Sequence, residues 1–257
     1  MNKGFVIMAQ DSVKTSYTKC AEALELSIKR VMPEANVTII TTEMLPHGDV
    51  AADTDWKLAN DWQVYEASPY DYTIKLEADM FLPRSIEHWW NVLESRDLVV
   101  ATTIRDFKGE ISNVRAYRKF IDDNSLPDVY NAITYFKKSE TAKKFFEIVR
   151  NIFENWDEYK TFLKCNPNEI ATTDWVYAIA CNIMGKENST LPGFSEMSMV
   201  HMKQMINGLP SEDWTNTLLP EFLPNSLRIN TYSQSYPFHY HVKSFANSIV
   251  ESYSCQK

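Results

Sequence analysis

Glycine is scarce in this 257-residue sequence: six glycines, with eleven prolines, leave little room for long flexible linkers. Basic charge is short too. Lysine and arginine number 26 against 34 aspartates and glutamates, which gives a formal net charge of -8. Such a balance disfavours a broad non-specific nucleic-acid footprint, which needs a basic face, although a local basic groove survives the averaging. No apolar run approaches the length of a membrane span, and the one after Met1-Asn2-Lys3-Gly4 is too short for a secretory leader, so a cytoplasmic protein is expected. Cys20, Cys165, Cys181 and Cys255 lie far apart with no C-x-x-C spacing, which predicts reduced thiols.

What is present reads as a folded chain. Hydrophobic residues make up 44% and charged residues 23%, so disorder is excluded, and the length suits one large α/β domain or two small ones. Aromatic residues reach 13% and often neighbour polar ones, a pattern shared by sugar-handling proteins and by ordinary cores.

Residues 4–8 (GFVIM) form a compact apolar run, the form of a strand buried on both faces of a parallel sheet. A polar loop, Ala9-Gln10-Asp11-Ser12, follows it. Tyr17, Cys20, Ala21, Leu24, Ile28 and Val31 then mark one stripe of a helix, which Pro33 closes. A second strand over 36–40 (NVTII) completes the opening of a βαβ unit. Residues 42–54 read as loop, 56–67 as helix ended by Ser68-Pro69, and 72–76 (YTIKL) as the third strand. A helix from Pro83 and Ser85 carrying His88, Trp89 and Trp90, and a fourth strand over 97–103, come next. Residues 130–136 (YNAITYF) predict a strand. Ser139 predicts the cap of a helix reaching Trp156, and Thr173 that of a further helix. From Leu191 onward loops, short helices and a tail folded back on the core are expected.

Two acids separated by one residue, Glu77 and Asp79, stand between the third strand and a helix. In open α/β sheets ligands bind beyond the carboxyl ends of the strands. Carboxylates there hold a divalent cation that bridges phosphate oxygens and stabilises the charge on a departing diphosphate.

The stretch Tyr70-Asp71-Tyr72-Thr73-Ile74-Lys75-Leu76-Glu77-Ala78-Asp79-Met80 resembles the DxD region of GT-A glycosyltransferases. Tyr130-Asn131-Ala132-Ile133-Thr134-Tyr135-Phe136 resembles that family's N-(S/A)-G strand, which lines the sugar and acceptor side. Glu77 replaces the first Asp, and Ile133 replaces the usual Gly. The resemblance implies a single Rossmann-like α/β domain with a mostly parallel sheet flanked by helices. About 1–128 would be the nucleotide-sugar half and about 129–257 the acceptor half. It further implies a nucleotide diphosphate-sugar donor, a Mn2+ or Mg2+ ion held by Glu77, Asp79 and a C-terminal histidine, and transfer to an acceptor hydroxyl. Pro237-Phe238-His239-Tyr240-His241-Val242-Lys243 offers two histidines two residues apart, which share a face in extended chain. His241 is preferred over His239 for its closeness to Lys243, a candidate diphosphate contact.

The same resemblance places Gln10, Asp11 and Tyr17 against the nucleotide, Lys14 and Arg105 near phosphate, and Asp106 against the donor sugar. Asp79 and Asp174 are the catalytic candidates. Asp174, in Thr172-Thr173-Asp174-Trp175, would be a general base or a group near the anomeric carbon, with Trp175 stacking on a sugar. An acid in a first helical turn also suits the dipole there. His201 and Lys203 would close over the donor, although Met199, Met202 and Met205 nearby also suit packing.

The implied acceptor is a glycan or a hydroxymethylated base of phage DNA. For the latter, Arg115, Arg118, Lys119, Lys137, Lys138, Lys143 and Lys144 would supply a local groove. Two other classes share the layout. A nucleotidyltransferase normally carries a glycine-rich loop after the first strand, which Ala9-Gln10-Asp11-Ser12 lacks. A non-catalytic nucleotide- or carbohydrate-binding protein would show no stabilisation by a divalent metal.

Overall fold

Four successive buried positions, Gly4 to Ile7, show why the first strand is central: apolar side chains point both ways and both faces are covered. This strand, β1 (Lys3–Met8), pairs in parallel with β2 (Val37–Ile40) on one side and with β3 (Tyr72–Glu77) on the other. The structure is a computed structural model and describes residues 2–223 and 226–254; Cys255 lies outside them. β4 is Met80–Phe81, β5 Leu98–Ala101, β6 Thr103–Arg105 and β7 Tyr130–Lys137. β7 enters antiparallel between β3 and β5, giving the order β2-β1-β3-β7-β5 in which every strand but β7 runs the same way. The mostly parallel sheet expected from the sequence is present.

Helix α1 (Tyr17–Val31) starts where Ser16 Oγ accepts from Lys19 N, and it buries Cys20, Ala21, Leu24 and Ile28 against the sheet. On the opposite face lie α2 (Glu140–Glu154), capped by Ser139 as expected, and α3 (Thr173–Met184). The cap of α3 is Thr172, one residue before the expected Thr173, because its hydroxyl is the one that accepts from Trp175 N. Alternation along β1 divides the core: Phe5 and Ile7 pack with α1, and Val6 with α2 and α3.

Three further expectations are corrected. Residues 56–67 are not one α-helix but a 3-10 stretch, Lys57–Gln63, followed by one α turn, Val64–Ala67. Residues 97–103 are not one strand: β5 ends at Ala101, and β6 continues in a different sheet. The expected helix after Pro83 is only a 3-10 turn, Glu87–Trp89, and one α turn, Trp90–Leu93, since Trp89 and Trp90 are both buried and hold the chain flat on the core.

The second sheet joins distant segments. With β8 (Ser198–His201), β9 (Pro220–Leu223), β10 (Ser226–Ile229), β11 (Tyr232–Ser233) and β12 (Phe238–His239), it has the order β4-β12-β8-β6, while β9 to β11 form a separate antiparallel ribbon. The tail does fold back: α4 (Phe245–Ser254) packs on α1, with Tyr253 stacked parallel to Phe81 at 5.9 Å.

Candidate active site

β3 delivers its alternate residues, Lys75 and Glu77, to one cleft, and Asp79 follows two positions on. Immediately afterwards β4 pairs antiparallel with β12, setting His239 opposite Met80, and Tyr240 N donates to Asp79 O at 3.1 Å. Short as they are, these pairings carry a histidine from 160 positions away to the acidic pair. His239 Nε2 lies 3.1 Å from Asp79 Oδ2 and 3.2 Å from Glu77 Oε2. The Lys243 ammonium also contacts Asp79 Oδ2 and sits 5.2 Å from the Tyr17 ring centre.

The cleft has a volume near 240 Å3, and Gln10, Tyr17, Glu77, Asp79, His241 and Lys243 all line it. With His239, which lines it too, seven of the residues singled out from sequence thus meet in one place. The side chain of His239 is 5% exposed, and His239 rather than His241 stands against both carboxylates; the ring of His241 is turned toward His201, 3.3 Å away. Strand pairing decides this, since β12 ends at His239 and His241 has a φ of 57°, outside extended geometry.

The two carboxylates differ. Burial alone would raise the Asp79 pKa, but the charge and hydrogen bond of His239, then Lys243, hold it well below the usual carboxylate range. Burial raises that of Glu77, the His239 charge opposing and the Asp79 charge adding. Burial would lower the pKa of His239, but the charge and hydrogen bond of Asp79 and the charge of Glu77 together move it up. Glu77 Oε2, Asp79 Oδ2 and His239 Nε2 converge, each group offering a ligand atom within 4.8 Å of the others. Two carboxylate oxygens and one imidazole suit Mn2+ or Mg2+ in donor type, so these residues fit a divalent ion.

Behind this triad is a network that the sequence only partly signalled. Asn131 Nδ2 donates to Glu77 Oε1 at 3.0 Å, and Asp174 Oδ1 accepts from Asn131 N at 3.1 Å. Arg118, buried, donates to Asp174 Oδ2 at 3.0 Å and to Asp128 at 2.8 Å. The floor carries a pairing that had no sequence signal: Lys75, with a side chain 1% exposed, is 2.6 Å from Asp61 Oδ1, and the Tyr177 hydroxyl donates to Asp61 Oδ2. Burial and then the Asp61 charge hold that phenol protonated.

Other candidates are elsewhere. Asp11, Lys14, Arg105, Asp106 and Asp174 are not among the described residues that line the cleft. Asp11 accepts from Thr18 N and the Ser16 hydroxyl and so organises the start of α1. Arg105 is nearly buried; it donates to Ser198 Oγ, Gly109 O and Ser195 O and stacks on Tyr236 at 3.9 Å, so its guanidinium fastens loops together. Asp106 accepts from Lys108 N and Glu110 N and closes its own turn. Trp175 stacks on Phe120 at 4.1 Å, and Lys203 lies over Tyr117. Most of the suggested basic groove is neutralised: Arg115 pairs with Asp122 and Asp128, Lys119 with Asp123, Lys137 with Asp97, and Lys143 with Glu147.

No protein-family model matches the sequence, and no curated protein matches it. Among solved structures, the galactosyltransferase LgtC with donor and acceptor sugar analogues aligns over 98% of this chain and 95% of its own, at 11% identity and a TM-score of 0.54. A glycosyltransferase involved in glycosylation of the major capsid of PBCV-1 aligns over 98% and 99%, at 10% identity and a TM-score of 0.45. GlyE of Streptococcus pneumoniae aligns over 74% of this chain and 45% of its own, at 12% identity and a TM-score of 0.39. Among the described residues no helix is long and apolar enough to cross a membrane. The near end-to-end alignment with LgtC, together with the mostly parallel sheet, shows that the chain has the GT-A fold.

Proposed function

We propose that this protein is a glycosyltransferase that moves a sugar from a nucleotide diphosphate donor to an acceptor hydroxyl. The observation that carries the reading is the convergence of Glu77, Asp79, His239 and Lys243 at the carboxyl end of β3, in a cleft also lined by Gln10 and Tyr17. Glu77, Asp79 and His239 would hold Mn2+ or Mg2+, which when bound offsets the negative charge on the leaving diphosphate.

The chain's own groups supply the rest. Lys243 has a side chain 31% exposed and reaches Asp79 now; it is free to pivot to a phosphate oxygen once a cation neutralises that carboxylate. The Gln10 amide, buried and fixed by Asn60 Nδ2 at 3.0 Å, gives a rigid polar wall for the nucleotide. Trp56, part-exposed where it lines the cleft, offers an aromatic face. Asp174, engaged by Arg118 and Asn131, is better suited to positioning Asn131 and thereby Glu77 than to removing a proton. The acceptor that fits is a carbohydrate hydroxyl rather than DNA, because most of the lysines and arginines of the would-be groove are paired with acids.

The test is nucleotide binding by calorimetry with and without Mn2+, using UDP and GDP. Asp79→Asn should weaken metal-dependent binding by at least about 100-fold, since several kcal/mol of charge stabilisation depend on the ion. Binding that is equal in the variant, or indifferent to metal in the parent protein, removes the donor-site assignment.

A further inference from the structure

Three imidazoles meet beside the carboxylate pair. β8 and β12 run parallel with His239 in register with His201, which sets those two side by side. His241 comes two residues later at a φ of 57°, a left-handed conformation that a residue with a side chain adopts only at a cost. That turn aims its ring at His201. The ring centres are 5.0 Å apart for His201 and His239, 4.6 Å for His201 and His241, and 4.0 Å for His239 and His241. One nitrogen of each lies within 4.8 Å of the other two. His239 Nδ1 is buried without a hydrogen-bond partner among the described residues, a rare state for a ring nitrogen that already uses its other edge on two carboxylates.

We propose that His201, His239 and His241 form a second cation site, taking a borderline transition metal such as zinc or cobalt in preference to magnesium or manganese. Nitrogen-only donors select in that direction, because hard cations bind through oxygen. Spacing agrees: two nitrogens on a tetrahedral ion at about 2.0–2.1 Å stand roughly 3.3 Å apart, and His201 Nδ1 is 3.3 Å from His241 Nε2. Three histidines leave a fourth position for water. Tyr117 and Tyr130 wall the His201 ring at 6.3 and 6.2 Å, and Asn207 Nδ2 fixes the His201 carbonyl at 2.8 Å, so that ligand is already placed. His239 belongs to both triads. An ion on the three histidines therefore competes for the imidazole of the carboxylate site, and zinc should antagonise whatever Glu77 and Asp79 bind. The site itself does not depend on the transferase reading.

Cobalt(II) is the probe, because its visible absorption reports nitrogen coordination and needs no catalysis. With the carboxylate site removed by Glu77→Gln and Asp79→Asn, the protein should still bind one cobalt ion, displaceable by zinc and untouched by excess magnesium. Adding His201→Gln, or His241→Gln as a milder second variant, should lower that affinity at least about 10-fold while circular dichroism stays native. Loss of all cobalt binding in the carboxylate variant overturns the proposal, as does cobalt affinity unchanged by both histidine variants. Retained binding that magnesium displaces also overturns it, since the ion would then be oxygen-bound.

Discussion

A lysine at the bottom of a cleft is the residue-scale feature with the largest stake in stability. Lys75 and Asp61 are both buried and 2.6 Å apart, and Tyr177 adds a hydrogen bond to the same carboxylate. Removing one partner of a buried pair leaves the other charge uncompensated and costs about 3–5 kcal/mol, whereas replacing both with apolar groups is often neutral. Lys75→Met should therefore lower the free energy of urea unfolding by about 3–5 kcal/mol, and Lys75→Met with Asp61→Leu and Tyr177→Phe, which leaves no buried polar group unpaired, should recover most of that loss. A single variant as stable as the parent would mean that water reaches Asp61. Glu77 and Asp79 could be found from sequence because the strand that presents them is contiguous with them. Asp61 and Tyr177 could not, since nothing local marks residues 116 positions apart as partners. Closeness to Lys243 favours His241 over His239 in the sequence, because spacing alone does not reveal where a two-residue strand stops.

At the scale of elements, legibility follows length and periodicity. β1, α1, β7 and α2 each carry enough apolar positions to fix their period, and each stands close to where its sequence pattern put it. The β4-β12-β8-β6 sheet left no trace, because strands of two to four residues are too short to show alternation and their pairing is entirely long-range. Two element-level substitutions test this picture. Ser139→Ala removes the hydroxyl that accepts from Ala142 N at the head of α2, and it should cost about 1 kcal/mol, read as a lower denaturation midpoint at unchanged slope. Gly4→Ala should cost more, about 1–3 kcal/mol. A methyl there would stand 2.5 Å from Cζ of Tyr70, whose hydroxyl is fixed 2.7 Å from Thr38 Oγ1. In a Tyr70→Ala background the same change should lose most of its penalty; an undiminished penalty would trace it to the β1 backbone instead.

For the whole molecule the question is whether the two halves read from the sequence, about 1–128 and 129–257, act as units. The packing argues that they do not. β7 lies between β3 and β5, β12 pairs with β4, and α4 packs on α1, so neither half keeps its sheet without the other. Intrinsic fluorescence from the seven tryptophans, which fall in both halves, and far-ultraviolet dichroism should therefore report one coincident thermal transition. The proposed donor site spans the same join, with Glu77 and Asp79 from one half and His239 and Lys243 from the other. A nucleotide diphosphate with Mn2+ at about 100 times its dissociation constant adds ~2.7 kcal/mol to the folded state. For a chain of this size that is a rise of roughly 5–11 °C, and it should move both probes together. Nucleotide or metal alone should move them far less, and Asp79→Asn should abolish the joint effect. Two separated transitions, only one of them shifted by ligand, would show that the halves unfold independently and that the site is not built across them.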